Sequence, residues 1–303
     1  MPIEWAVILG AVVADAILLA ATSFRLEVSP QLRILAGLIV LNVVYAICRR
    51  WRSFSRITTR LAHLTRTVFA LVLFTNAVSI LSFILTGILP LPIWDEALAT
   101  ADRALGMNWL DMYHWLARCP VIEAFAHAVY MSLGPETLFL FIALELLGHP
   151  HQARAFLRWI IVSTIAVLAI GTLAPAAGAF VYHHLPEASS TGYVAQWADL
   201  RNGTLRTLDP FENQGLVVFP SFHAVLAVLC ACAAWPLRIL KFPLLALNLL
   251  IILASPAMGG HYFIDIIAGI FLAALTISLP GYVLSPRGNK IIRHEETPVF
   301  ASK

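Results

Sequence analysis

Apolar positions in this chain fall in long runs, not in the alternating or three-to-four-residue rhythms of half-buried strands and surface helices. A window of about twenty residues, the length that crosses a hydrocarbon core of about 30 Å, selects about eight runs, near 3–22, 31–48, 67–89, 121–147, 156–175, 216–235, 239–256 and 261–283. Only Pro256 to Gly260 separates the last two, and a proline with two glycines suits a tight reversal there. The pattern predicts an all-α, polytopic membrane helix bundle of about six core transmembrane helices plus an N-terminal pair. Its expected parts are an N-terminal helix pair and basic loop over 1–66, a membrane domain over 67–283 and a cytoplasmic tail over 284–303.

Charge orients this bundle. Arg49, Arg50, Arg52, Arg56, Arg60 and Arg66 follow the second run without one acidic residue, so the positive-inside bias assigns that loop to the cytoplasm. Arg154 and Arg158, Arg238 and Lys241, and Arg287, Lys290 and Arg293 then all fall on the same side. This predicts cytoplasmic N- and C-termini in a cell inner (plasma) membrane protein, with the connections 90–120 and 176–215 extracytoplasmic. The first of these holds Trp94, Trp109, Tyr113 and Trp115, spaced like an amphipathic segment in the headgroup layer. The second is longer than passive links usually are.

Composition agrees, with 60% hydrophobic and 12% charged residues. A net charge of +3 argues against a nucleic-acid partner. Cys48, Cys119, Cys230 and Cys232 show neither a metal spacing nor an evident pairing and read as small packing residues. The N-terminal run lacks a basic leader and a clear cleavage site, and reads as a retained helix in which Asp15 serves packing or helix pairing.

Two histidines carry the chemistry. Pro220-Ser221-Phe222-His223 opens the sixth run and His261 opens the eighth, so the charge map brings both to the extracytoplasmic surface. Asp265 stands four residues after His261, on the same helical face. A carboxylate there can orient an imidazole and stabilise its cation while the other ring nitrogen attacks phosphorus. The second histidine can protonate the departing oxygen and then activate water or an alcohol. Helix N-termini beside Ser and Gly offer backbone N–H groups to an anion. A metal site is the thinner alternative, since two His and one Asp lack a further nearby ligand.

These residues resemble the type 2 phosphatidate phosphatase superfamily, and within it the branch that includes inositol phosphorylceramide synthases. Phe219 to His223 is similar to the branch's Phe-Pro-Ser-x-His motif. Gly259 to Gly269 is similar to its Gly-x-His-Tyr-x-x-Asp-x-x-x-Gly motif, with one extra Gly. The likeness covers about 67–283 and extends to Tyr130-Met131-Ser132-Leu133 and Pro175-Ala176-Ala177-Gly178. It implies a phosphohistidine mechanism with His261 as nucleophile, Asp265 orienting it and His223 as general acid, then base. It also implies a lipid substrate drawn from the membrane and no cofactor or metal.

The superfamily's first motif, a Lys followed by Arg-Pro, has no match, the arginine usual before the third-motif histidine is replaced around Ser255, and Phe222 stands where many members have Gly. Phosphate charge must be met elsewhere. Arg201, in a Leu-Arg-x-Gly element similar to this branch, and Arg206 are the candidate clamps, and Ser221 either bonds phosphate or caps the sixth helix. Tyr130, Ser132 and Glu136 lie beside Gly134-Pro135, where a helix break could open a polar pocket, although a structural role fits equally. His183 and His184 read as loop residues. The expected activity is hydrolysis or transfer of a phosphate-bearing lipid group, with the acceptor and oligomeric state unassigned. The alternatives are a transporter, which calls for ionisable groups near the midplane in repeated halves, or a non-catalytic scaffold.

Overall fold

The computed structural model describes residues 3–51, 55–185, 193–211 and 215–279. Arg52 and the tail basic residues Arg287, Lys290 and Arg293 lie outside the described residues. The described chain is helical apart from one two-residue parallel bridge, β1 (Arg25–Leu26) with β2 (Thr207–Leu208). Among the described residues five helices are long and apolar enough to cross a membrane: α1 (Ile3–Ala21), α2 (Val28–Trp51), α3 (Arg56–Ile88), α8 (Pro150–Leu173) and α12 (Lys241–Met258). A sixth span arises if the bent pair α6 (Pro120–Met131) and α7 (Leu133–Leu146) is counted as one.

The break between α6 and α7 bends the path by 42° at Ser132. Pro135 is its local cause, because the ring lacks an N–H and collides with the carbonyl four residues earlier. The span expected over 121–147 is therefore two helices. The last expected spans are also shorter than their apolar runs: α11 covers Phe222–Ala233 and α13 covers Phe263–Ser278. Residues 216–221 and 261–262, counted with the expected spans, are non-helical backbone at the starts of these helices.

The connections at that end are structured. α4 (Asp95–Ala104) and α5 (Trp109–Ala117) fill the link before α6, while α9 (Ala179–Tyr182) and α10 (Tyr193–Asn202) lie between α8 and α11. The most extensive apolar cluster lies chiefly among α3, α7, α8 and α11 and includes Phe74, Phe141, Phe156 and Leu229, with smaller clusters at the site end and around Phe24.

Contacts identify the two ends of the bundle. At one, Arg60 donates to the Leu146 carbonyl, Gln152 to the Cys232 carbonyl, and Arg158 lies 3.4 Å from Glu4, so the basic residues of several loops gather there. At the other, α4, α5, α9 and α10 cover the starts of α11 and α13.

Candidate functional site

Ser221 starts α11 by accepting the amide hydrogen of Ala224 on its hydroxyl oxygen, which places His223 in the first turn. α13 begins two residues after His261, and Asp265 closes its N-terminus by accepting from the Tyr262 amide. The two helix starts are fastened together because the Ser221 amide donates to the Asp265 carbonyl, 3.1 Å away. Gly269 makes this approach possible: a Cβ there would stand 2.6 Å from the Ser221 carbonyl oxygen. The histidine rings consequently lie with centroids 6.3 Å apart. His223, His261, Asp265 and Ser221 form one cluster.

His261 is buried, and its Nδ1 lies 2.9 Å from the carbonyl oxygen of Val218. A carbonyl only accepts, so Nδ1 carries the hydrogen and the neutral ring keeps its lone pair on Nε2. The nearer oxygen of Asp265 is 3.6 Å from Nδ1. Ring orientation is thus set by Val218, with Asp265 beside the same nitrogen, ready to stabilise a cation. On the other ring, the Tyr130 hydroxyl lies 3.1 Å from Nδ1 of His223, and the two rings stack at 4.0 Å.

Aspartates of α4 support this arrangement from above. Asp102 accepts the amides of Phe263 and Ile264, and Asp95 accepts those of Ala177 and Gly178 together with the Tyr262 hydroxyl. Burial raises the Asp102 pKa above its usual range, while the two amides hold it down. Burial and the Asp95 charge push the Tyr262 phenol up as well. The first-turn amides of α13, expected to be open to an anion, are occupied by Asp102 and Asp265. Of the two helix starts, that leaves α11 as the one with free first-turn amides for an anion.

Trp109 donates its indole N–H toward the carbonyls of His261 and Pro256, at 3.1 and 3.2 Å. It was expected on a membrane-facing stripe, but it is buried; Trp94 and Trp115 are exposed. Its ring stacks on His183, which burial and the charges of Arg103 and His184 keep below the usual histidine pKa. Gly178 and Gly260 take positive φ angles of 95° and 62°, and the Gly260 carbonyl receives the Ala179 amide. A Cβ on Gly260 would collide with the Tyr193 hydroxyl.

The two arginines lie over different rings. Arg201 donates to the Leu91 carbonyl and lies over Trp197, in a cavity also lined by Val217 and Val218. Arg206 lies over Phe24, on the α1–α3 side, with Gly87 and Gly203 leaving room for its guanidinium. Glu136 accepts a hydrogen bond from Asn248 and ties α7 to α12. No group of three or more His, Cys, Asp or Glu among the described residues could hold a metal ion.

Asp95, Asp102, Trp109 and Tyr262 were assigned no role in the site from the sequence, and Tyr130 stood out for its place near a break and in the Tyr130–Leu133 likeness. The one available signal was composition: two aspartates in a short interfacial segment need partners when buried, and a tryptophan N–H does too.

Compared with known families, residues 96–279 match the PAP2 superfamily. No curated protein and no solved structure matches the chain. The match begins within α4 and ends after α13, and thus takes in both histidines, Asp265 and the capping aspartate Asp102. With more than half its length matched, this multi-helix membrane chain belongs to the PAP2 (type 2 phosphatidate phosphatase) superfamily of hydrolases and phosphotransferases.

Proposed function

We propose that the protein removes or transfers a phosphate-containing group on a membrane lipid through a covalent intermediate on His261, at the extracytoplasmic surface. The observation that carries this reading is the His261 ring, whose Nδ1 is engaged by Val218 and whose Nε2 is left with a lone pair beside His223. In the first step Nε2 bonds to phosphorus as the bond from phosphorus to the lipid oxygen breaks, and His223 gives that oxygen its Nε2 proton. The resulting cationic ring faces Asp265 at 3.6 Å. In the second step His223 takes a proton from water or an alcohol, whose oxygen bonds to phosphorus as the P–N bond breaks.

Phosphate charge falls to Ser221 and the first-turn amides of α11, with Arg201 as the cation, since it shares a cavity with Val218, the residue that holds His261. Arg206, lying against Phe24, is left with a packing role. The likeness of Phe219–His223 and Gly259–Gly269 to inositol phosphorylceramide synthases favours head-group transfer to an alcohol over hydrolysis. Basic residues gathered at the far end of the bundle support the assignment of the site to the extracytoplasmic face.

The test incubates purified protein with a panel of phosphate-bearing lipids, with and without alcohol acceptors, and scores free phosphate against new lipid products. Turnover that survives chelation and is lost in His223→Ala and His261→Ala is expected. Full activity in both variants would overturn the mechanism.

A further inference from the structure

Tyr130 is the penultimate residue of α6, two residues before the bend at Ser132, and is buried. Its Oη is the partner of His223 Nδ1. A His223 that donates a proton from Nε2 and later recovers one there must keep its other proton on Nδ1 throughout. The partner of Nδ1 must then accept. A phenol accepting this bond still has its own hydrogen to place.

Gly259 indicates where that hydrogen goes. A Cβ on this residue would stand 2.7 Å from Tyr130 Oη and 3.0 Å from His261 Nε2. Glycine at 259 therefore lets the phenol and the attacking nitrogen converge on one point beside its Cα. Gly259 and His223 are half-exposed where His261 and Tyr130 are buried, so the convergence lies at the outward edge of the cluster. A phosphorus held about 3–3.5 Å from Nε2 there is within reach of the phenol. The contacts described for His223 and His261 include carbonyl, carboxylate and phenol groups but no cation, so a neutral donor at this point adds to the charge stabilisation given by Ser221, the α11 amides and Arg201.

We infer that Tyr130 is a third catalytic side chain, whose phenol donates to an oxygen of the transferring phosphoryl group above Gly259 while accepting from His223 Nδ1; this rests on the phosphohistidine reading. Tyr130 keeps its proton through both steps, so the balance of bonds and protons given above is unchanged. The pentacoordinate transition state gains the donor, and its stabilisation is of the oxyanion-hole kind.

Tyr130→Phe keeps the ring, its stacking on His223 and its packing on α12, and removes only the hydroxyl. Orthovanadate, which adopts the geometry of the transition state, reads binding without knowledge of the lipid. Protection of the wild type against thermal unfolding by orthovanadate is expected, with affinity at least about 10-fold weaker in Tyr130→Phe and lost in Gly259→Ala, whose methyl group pushes the phenol and the His261 ring apart. Lipid turnover by Tyr130→Phe is expected to fall about 10²–10³-fold, the loss typical of one such donor, at an unchanged KM and melting temperature. Wild-type vanadate affinity and turnover in Tyr130→Phe would overturn the inference, as would wild-type behaviour of Gly259→Ala. If His261→Ala is inactive while Tyr130→Phe matches the wild type, the inference alone fails. If His261→Ala also matches the wild type, the phosphohistidine reading fails with it.

Discussion

The N-terminal helix pair and the site end of the bundle are built on opposite terms. α2 buries only Pro30, and its Leu32, Leu35, Ile39, Val43 and Ile47 are exposed, as suits a helix packed on α3 along one side and facing lipid on the rest. At the site end Asp95, Asp102, Ser221, His261 and Asp265 are all buried and each has a defined partner. Spanning a membrane requires only that backbone groups bond within helices and that side chains be apolar. Building a site there requires each polar group to be matched individually, which leaves little tolerance for change.

Substitutions at the two ends put this contrast at risk, and the largest effect is expected at Asp95. Asp95→Ala strips acceptors from the Ala177 and Gly178 amides and the Tyr262 hydroxyl, at about 1–3 kcal/mol for each buried donor left alone. Loss of cooperative thermal unfolding in detergent, or a steep drop in its midpoint, is the expected result; an unchanged midpoint would break the comparison. Gly269→Val forces side-chain atoms against the Ser221 carbonyl and separates α11 from α13. A cost of about 1–3 kcal/mol, typical of overpacking, should accompany a loss of turnover out of proportion to it.

Asp102 gives a smaller and pH-dependent effect. Its folded pKa is raised above the ordinary 3.8, chiefly by burial. A carboxyl with a raised folded pKa binds its proton more tightly in the fold than in the unfolded chain. Stability therefore falls as pH rises from the ordinary value through the raised one. Melting midpoints of the wild type and Asp102→Asn, followed over that window, should show this component in the wild type alone. At the other extreme Ile39→Ala on α2 should shift stability by no more than about 0.5 kcal/mol, as surface changes do. A cost comparable to that of Gly269→Val would show that the exposed face of α2 also has a packing partner.

The same contrast explains what could be read from the chain. Hydropathy located α1, α2, α3, α8 and α12, because length and apolarity are local properties. Charge separated the two ends, and short motifs placed both histidines at helix starts. The 121–147 run, in contrast, gave no measure of the bend at Ser132 beyond the Gly134-Pro135 pair. Trp109, Asp95 and Asp102 find their partners far along the chain, in carbonyls and amides near 177, 256 and 261–264. Backbone partners have no sequence identity to recognise. The carbonyl of Val218 orienting His261 is the clearest case: Asp265 was legible as the companion of that ring, and the closer acceptor was not.

The phosphohistidine is the point on which the account stands. Protein mixed with a lipid labelled on its phosphate, quenched within one turnover and denatured, should carry label that is stable to base and released by acid, on a peptide containing His261. His261→Ala should carry none, and His223→Ala, which can still form the P–N bond slowly but cannot activate the acceptor, should retain it longer than the wild type. Turnover without label on the wild-type protein, or label retained in His261→Ala, would contradict the account.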